Sequence, residues 1–182
     1  GGNGLDASAA MKIYKAKGRP SDNPLILHLY DPKDAEKYCV TCPLYYRLAM
    51  AFMPGPLTGI LPKKNCVPST VTGGLDTVAV RVPSHPVARK LLRAFGLPIA
   101  APSANVSGKP SPTTADHVID DMNGRIDMIL DGGPCEIGVE STIVSISGDG
   151  GEEILHLLRP GGITPERYSS YLGMLEEDRK FR

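Results

Sequence analysis

The sequence has few cysteines, no excess of charge of either sign and no long apolar run, and each absence excludes a class of protein. Its 182 residues contain 20 Lys and Arg, 20 Asp and Glu, and four Cys. Balanced charge excludes a general attraction to nucleic acid or an anionic membrane, so any anion has to be held locally. Apolar runs stop well short of a membrane span, and the first residues lack the pattern of a secretory signal. The sequence therefore predicts a cytoplasmic protein.

Cys39 and Cys42 have the spacing of a redox pair or of half a zinc site. No second pair at this spacing and no nearby His pair completes such a site. Four scattered cysteines are also too few for a disulfide scaffold. We interpret all four as reduced thiols and predict no metal ligands from the protein.

Strand and helix signals alternate along the chain. Short runs rich in β-branched and apolar residues predict strands at 25–29, 57–61, 77–82, 99–101, 127–130, 141–146 and 154–158. Helical spacing predicts helices at 6–17, after Asp31-Pro32, at 44–52, at 84–95 capped by Ser84, from Thr113 or Thr114 to 121, and after Thr164. Some neighbouring strands have no helix between them. The pattern therefore predicts an α/β fold with an open, twisted, mixed and partly parallel sheet covered by helices.

The two ends of the sequence differ from the regular pattern. Gly1 to Gly4 is predicted to be a glycine-rich turn where a strand would normally precede the first helix, so we expect an N-terminal strand and helix to be missing. Residues 1–174 are predicted to form one domain. Residues 175–182 are polar and are predicted to form a tail or the start of a linker.

The loop from Lys17 to Pro24 contains two cations, Lys17 and Arg19, and several short hydrogen-bonding side chains between prolines. An Arg fork matches phosphate or carboxylate oxygens and Lys adds a compact charge, so this loop is suited to a polyphosphate. By itself it fits a solvated basic turn equally well.

A second polar loop follows the strand at 99–101 and precedes a helix. It carries the hydroxyls of Ser103, Ser107 and Ser111 and the amide of Asn105, and it does not have the spacing of a P-loop. In open α/β sheets, ligands bind beyond the carboxyl ends of strands, and a helix N-terminus favours anions. An ordinary Pro/Ser/Gly loop is the alternative. If the two loops share an anion, we expect them to meet at the same edge of the sheet.

Two further charged residues stand at predicted strand ends. Glu140 precedes the strand at 141–146, and Arg159 follows the one at 154–158. They are either site residues or simply an ion pair. The sequence has no Ser/His/Asp order and no nucleophile elbow, so a covalent enzyme intermediate is poorly supported.

At these residues the sequence resembles the YrdC-like family, which includes threonylcarbamoyl-AMP synthases. The signature pairs Lys17-Gly18-Arg19 with Ser103-Ala104-Asn105. Further matching segments are Asn23 to His28, Pro54 to Thr58, Asp76 to Pro83, Gly132 to Pro134, Gly138 to Thr142 and Arg159 to Gly161. Two features depart from the family pattern: Met53 replaces an aromatic residue, and only the glycine-rich end of the family's opening segment is present.

The resemblance implies a nucleotidyltransferase that condenses L-threonine, bicarbonate or carbon dioxide, and ATP into threonylcarbamoyl-adenylate and pyrophosphate. Mg²⁺ would accompany the nucleotide. The product would serve a transfer RNA threonylcarbamoyl transferase complex, and weak RNA binding is compatible with the family.

The resemblance also implies roles for individual residues. Lys17 and Arg19 would act on the reacting groups, Arg81 would bind the threonine carboxylate, and His28 and Ser141 would select its hydroxyl. The implied ATP-binding residues are Lys17, Arg19, Asn23, Thr77, Ser103, Asn105, Ser111 and Arg159. The implied threonine-binding residues are His28, Arg81, Ala101 and Ser141.

Two alternatives remain open. A related carbamoyl-transferring hydrogenase maturation domain shares the fold and the adenylate chemistry but uses carbamoyl phosphate, so threonine-dependent release of pyrophosphate separates the two. A non-catalytic RNA-binding module is the other alternative. The zero net charge and the lack of an aromatic and basic stripe count against it.

Overall fold

A seven-stranded mixed sheet forms the centre of the part of the chain that the structure describes. The computed structural model describes residues 1–148 and 153–180, with side chains described as far as residue 173. The strands are β1 (Gly2–Asn3), β2 (Ile26–His28), β3 (Leu57–Pro62), β4 (Thr77–Arg81), β5 (Ile99–Ala101), β6 (Thr142–Ser147) and β7 (Ile154–Arg159). Their order is β1-β5-β2-β4-β3-β6-β7; β2/β4 and β3/β6 are parallel pairs and the rest are antiparallel. The predicted fold class is confirmed.

Within residues 1–148 and 153–180, five α-helices accompany the sheet: α1 (Ala7–Lys17), α2 (Pro43–Phe52), α3 (Pro86–Phe95), α4 (Ala115–Met122) and α5 (Pro165–Lys180). Helix α1 begins where the Asp6 side chain accepts a hydrogen bond from the Ser8 backbone amide. It ends at Gly18, which has the left-handed φ of 62° that glycine adopts at little steric cost. Local capping thus fixes the direction in which the chain leaves α1 and enters the Lys17 to Pro24 loop.

The core lies between one face of the sheet and helices α1 and α2. The strands contribute Leu27, Leu57, Leu61, Val78, Val80, Ala100 and Val144, and the helices contribute Ala10, Ile13, Tyr14, Leu44, Tyr45, Leu48 and Ala49. Burying each of the larger apolar side chains stabilises the fold by about 1.5–3 kcal/mol. Because side chains alternate along a strand, the residues between these core positions lie on the opposite face, which we call the open face.

Several predicted boundaries are corrected by the structure. No strand forms at 127–130 within the described residues, because Met128 and Leu130 are exposed and the sheet order contains no strand from this segment. Helix α3 starts at Pro86 with His85, not Ser84, at the N-cap, because a proline is suited to the first helical position. Of the two residues predicted to cap α4, Thr114 is the one that does so.

The structure defines the conformation or the bounds of three further segments. The helix after Asp31 is a 3₁₀ helix (Pro32–Lys37) that begins with a reciprocal capping box between Asp31 and Asp34. Gly2 and Asn3, predicted to be part of a turn, pair with β5 before the turn begins. Helix α5 continues without a break past residue 174, the predicted end of the domain.

Among the described residues, no helix is both long enough and apolar enough to cross a membrane.

Candidate active site

A row of side chains crosses the open face of the sheet in register. Starting from β5, successive pairs of strand partners are Ile99 and His28, His28 and Arg81, Arg81 and Thr58, Thr58 and Ile143, and Ile143 and Arg159. Residues that are partners in a sheet have their side chains on the same face. We call these six residues the open-face row, and it brings predicted threonine-side and nucleotide-side residues onto one surface.

Ser141 directly precedes β6 and lies beside this row. Its hydroxyl is 2.8 Å from the hydroxyl of Thr58 and accepts a hydrogen bond of 3.2 Å from Nη2 of Arg159. The same guanidinium donates to the Ser141 carbonyl from Nη2 at 2.8 Å and from Nε at 3.2 Å. Ser141 is only 3% exposed. Its hydroxyl is therefore held from two sides by strands β3 and β7.

Glu140 connects two of the predicted nucleotide-side residues. Its carboxylate forms an ion pair of 2.6 Å with Arg159 and accepts a hydrogen bond of 2.8 Å from the Ser111 hydroxyl. The ion pair that the sequence suggested is thus present. Through these two contacts Glu140 also connects the polar loop after β5 to the ends of β6 and β7. It therefore lies between Ser111 and Arg159, two groups suited to binding an anion.

His28 is neutral at physiological pH. Burial, with a smaller contribution from the Arg81 charge, lowers the pKa of the imidazole to about 4. Nδ1 lies 3.1 Å from the Ile26 carbonyl and 3.3 Å from the Ile99 carbonyl. Since carbonyls only accept, Nδ1 carries the proton and Nε2 keeps its lone pair. His28 therefore presents a hydrogen-bond acceptor.

Arg81 supplies a cation in the middle of the row. Its Nε donates to the Gly55 carbonyl at 3.2 Å, which fixes the guanidinium between β4 and the turn before β3. Burial, and then the charge of Arg159, lowers the pKa of Arg81 from its ordinary value. An arginine that is largely buried near a second cation is suited to bind an anionic ligand.

The Lys17 ammonium group joins the two predicted loops. Lys17 is only 2% exposed and donates to the Ser103 carbonyl, to the Asn105 carbonyl at 2.7 Å and to the Asn105 side-chain oxygen at 3.2 Å. The Ser107 amide donates back to the Lys17 carbonyl at 2.9 Å. Burial, and then the charge of Arg19, lowers the pKa of Lys17 to about 8. The predicted meeting of the two loops is confirmed.

The contacts of this meeting differ from the ones the sequence suggested. Ser103 takes part through its carbonyl rather than its hydroxyl, and all three donors of Lys17 already have acceptors. Asn105 donates to the carbonyls of Val106 and Lys109 at 3.0 and 2.7 Å, so its amide shapes its own loop. In this structure Lys17 holds a loop together and does not project into the cleft.

Arg19 is the more exposed of the two signature cations. Its guanidinium donates to the Asn23 side-chain oxygen at 2.5 Å, to the Asn23 carbonyl at 3.1 Å and to the Pro24 carbonyl at 3.1 Å. Burial lowers the pKa of Arg19 from its usual value, while Tyr14 and Glu140 act in the opposite direction. The Arg19 loop is joined to the polar loop after β5 by its neighbour Lys17, whose ammonium donates to the Asn105 carbonyl.

The remaining predicted residues also lie on the open face. Ala101 is the partner of Ile26, and Thr77 is the partner of Pro62 at the start of β4, four residues before Arg81. Thr77 is therefore at the opposite end of its strand from the open-face row. Sequence reasoning missed Thr58 as a site residue, although its position in Pro54 to Thr58 and its alternation with Leu57 could have indicated the open face.

Comparison with known proteins gives a consistent family. The profile of the Sua5/YciO/YrdC family, described as telomere recombination, matches residues 1–161. A threonylcarbamoyl-AMP synthase of Bacillus subtilis is 52% identical over 181 residues, which are 98% of this chain and 51% of that protein. The chain spans about half the length of these curated relatives, 51% in Bacillus subtilis and 50% in Pyrococcus abyssi.

Solved structures agree with this match. The crystal structure of Pyrococcus abyssi Sua5 complexed with L-threonine superposes with a TM-score of 0.86 at 49% identity, covering 94% of this chain and 49% of that one. Escherichia coli YciO shares the fold, with a TM-score of 0.76 at 24% identity over 87% of this chain and 76% of that one. The chain, with its signature loops joined through Lys17, belongs to the Sua5/YciO/YrdC family.

Proposed function

We propose that this domain binds ATP and L-threonine on the open face and joins them, through carbon dioxide, as threonylcarbamoyl-adenylate. The observation that carries the proposal is the open-face row. It puts an acceptor (His28) and a cation (Arg81) on the same surface as Arg159, which ends the row and is paired with Glu140. The name of the Bacillus subtilis relative and the threonine complex of Pyrococcus abyssi Sua5 support it.

The proposed reaction needs no protein nucleophile. The threonine amine takes up carbon dioxide and releases one proton, and an oxygen of the resulting carbamate attacks the α-phosphorus of ATP. The bond from the α-phosphorus to the bridging oxygen breaks, and pyrophosphate leaves with that oxygen. Such a step depends on positioning and on neutralised charge, and we assign this role to Arg19 and Arg159. This assignment makes the reaction that of a nucleotidyltransferase.

The amino-acid end of the cleft matches the polarity of threonine. Arg81 offers donors to a carboxylate, while Nε2 of His28 accepts a hydrogen bond from a hydroxyl or an amine. A site that pairs a substrate hydroxyl discriminates against an analogue without one, because the buried partner is then left unpaired. We therefore expect serine to bind detectably and valine poorly.

Other participants are proposed on chemical grounds. Mg²⁺ is proposed only as the counterion of the triphosphate, because the described residues hold no group of three His, Cys, Asp or Glu side chains that could bind a metal ion. The adenylate is a reactive mixed anhydride, so we propose that it passes to a transferase that modifies transfer RNA. The predicted cytoplasmic location belongs to the same proposal.

The test is pyrophosphate release by the purified protein with ATP, Mg²⁺ and bicarbonate, with and without L-threonine. We expect release to require both threonine and bicarbonate, and mass spectrometry to find threonylcarbamoyl-adenylate. Valine in place of threonine is the matched control for the hydroxyl. Release that requires carbamoyl phosphate instead would support the maturation-type activity, and no release with any of these substrates would contradict the proposal.

A further inference from the structure

Thr58 occupies the centre of the open-face row without contributing a charge or an exposed group. It lies between Arg81 on β4 and Ile143 on β6, and its exposed fraction is 0% although both neighbours are only half-buried. Strand residues at such a position are usually apolar, because a buried hydroxyl without a partner is costly. The burial of the Thr58 hydroxyl therefore depends on a hydrogen-bond partner.

Its partner is the Ser141 hydroxyl, 2.8 Å away. Among the described residues this is the only hydrogen bond of the Thr58 side chain. Whichever hydroxyl donates, the other keeps a hydrogen without a protein acceptor, and leaving it unpaired costs about as much as a lost hydrogen bond. Thr58 is completely buried, whereas Ser141 directly precedes β6 and is 3% exposed, so a bound ligand can accept only the Ser141 hydrogen. The arrangement that ligand binding favours is therefore the one in which Thr58 donates and Ser141 accepts.

Arg159 determines whether the Ser141 hydroxyl can still accept a second hydrogen bond. A guanidinium only donates, so Nη2 of Arg159 occupies a second lone pair of the Ser141 oxygen at 3.2 Å. With both lone pairs used and the Cβ bond in place, the Ser141 hydrogen has one tetrahedral direction left. Among the described residues no further side chain or carbonyl accepts from this hydroxyl, so its hydrogen is available to a ligand oxygen.

We infer that Thr58 is a positioning residue that turns the Ser141 hydroxyl into a fixed donor toward an oxygen atom of threonine. The inference rests on the proposed function. It gives the amino-acid end of the cleft a defined polarity, with Ser141 and Arg81 as donors and His28 as the acceptor. An ammonium group is excluded at Ser141, since two donors would meet there; the matching ligand atoms are a carboxylate or a hydroxyl oxygen.

The test compares Thr58→Val, which keeps the shape and removes the hydroxyl, with Thr58→Ser, which keeps the hydroxyl. Losing one orienting hydrogen bond should weaken threonine binding about three- to tenfold in calorimetric titration. ATP affinity should stay within about twofold, because the variant leaves the nucleotide-side residues in place. Thr58→Ser should bind threonine as the wild type does. In turnover, Thr58→Val should raise KM for threonine more than it lowers kcat.

A double-mutant cycle separates positioning from a general loss of structure. If Thr58 acts through Ser141, adding Thr58→Val to Ser141→Ala should cause almost no further loss of threonine affinity. Effects that multiply would overturn the inference, as would a Thr58→Val protein that binds threonine like the wild type. Should Thr58→Val not fold, Thr58→Cys replaces it with a weak donor of similar size, and wild-type affinity there would also overturn the inference. A wild-type protein that binds no threonine would overturn the proposed function as well.

Discussion

Replacing Lys17 with Met should destabilise the fold far more than a surface lysine change does. The side chain is 2% exposed and its ammonium donates to the Ser103 carbonyl, the Asn105 carbonyl and the Asn105 side-chain oxygen. Methionine is similar in length and leaves these buried acceptors unpaired, at about 1–3 kcal/mol for each. The variant regains part of this free energy because it no longer buries a charge. We expect a net loss of about 2–4 kcal/mol in the free energy of unfolding.

For a chain of this size, that loss corresponds to a fall in Tm of about 4–16 °C. Lys12→Met is the matched control, since Lys12 is exposed on the same helix and its replacement should change stability by less than about 0.5 kcal/mol. Thermal unfolding followed by circular dichroism gives both values. Equal Tm values for the two variants would refute the claim that Lys17 holds the loop at 103–105.

The pH dependence of Lys17 provides an independent check. Its pKa is about 8 in the fold against an ordinary 10.5, so between these values the unfolded chain holds more protons than the folded one. Wild-type stability should therefore rise relative to Lys17→Met as the pH increases from 8 to 10.5. An unchanged difference across this window would contradict the burial of the ammonium group.

Three further variants test the cleft. Arg19→Ala should slow adenylate formation at least about 100-fold, as loss of an electrostatic contact in a transition state does, while changing Tm by under about 2 °C because the loop is largely exposed; a normal rate would contradict its proposed role. Arg81→Lys should weaken threonine binding about tenfold more than ATP binding in calorimetric titration, because Lys lacks the fork that matches a carboxylate; equal losses for both ligands would argue against the assignment. His28 has a folded pKa of about 4 against an ordinary 6.5, so the wild type should lose stability as the pH falls through this range, and His28→Gln should lose less; parallel thermal-melt curves would contradict a buried neutral imidazole.

The alternation of strands and helices was predictable because its signals are local. Helix caps such as Asp6 and Gly18 depend only on neighbouring residues, and so does apolar periodicity. These signals predicted the bounds of α1 and of most strands to within one or two positions. The apolar run at 127–130 has the same local signal. It forms no strand within the described residues, because a strand also needs a partner edge, and pairing is decided by the whole sheet.

The meeting of the two signature loops was predictable from the family resemblance, whereas the atoms that make it were not. Lys17 uses backbone carbonyls, which every residue carries and which no sequence pattern distinguishes. The role of Thr58 depends on the register of β3 against both β4 and β6. A shift of one residue would turn Thr58 to the core face, and local sequence does not specify register between distant strands.

If ligands bind on the open-face row as proposed, binding is linked to the stability of the whole sheet. Thr58 and Ser141 are 83 positions apart, and the site needs β2, β4, β3, β6 and β7 in register at once. A partly unfolded chain that has lost β6 cannot bind, so ligand at 100 times its Kd should add about 2.7 kcal/mol to the free energy of global unfolding. Amide hydrogen exchange would register this as equal extra protection in the central strands, including β2, which lies far along the sheet from β7.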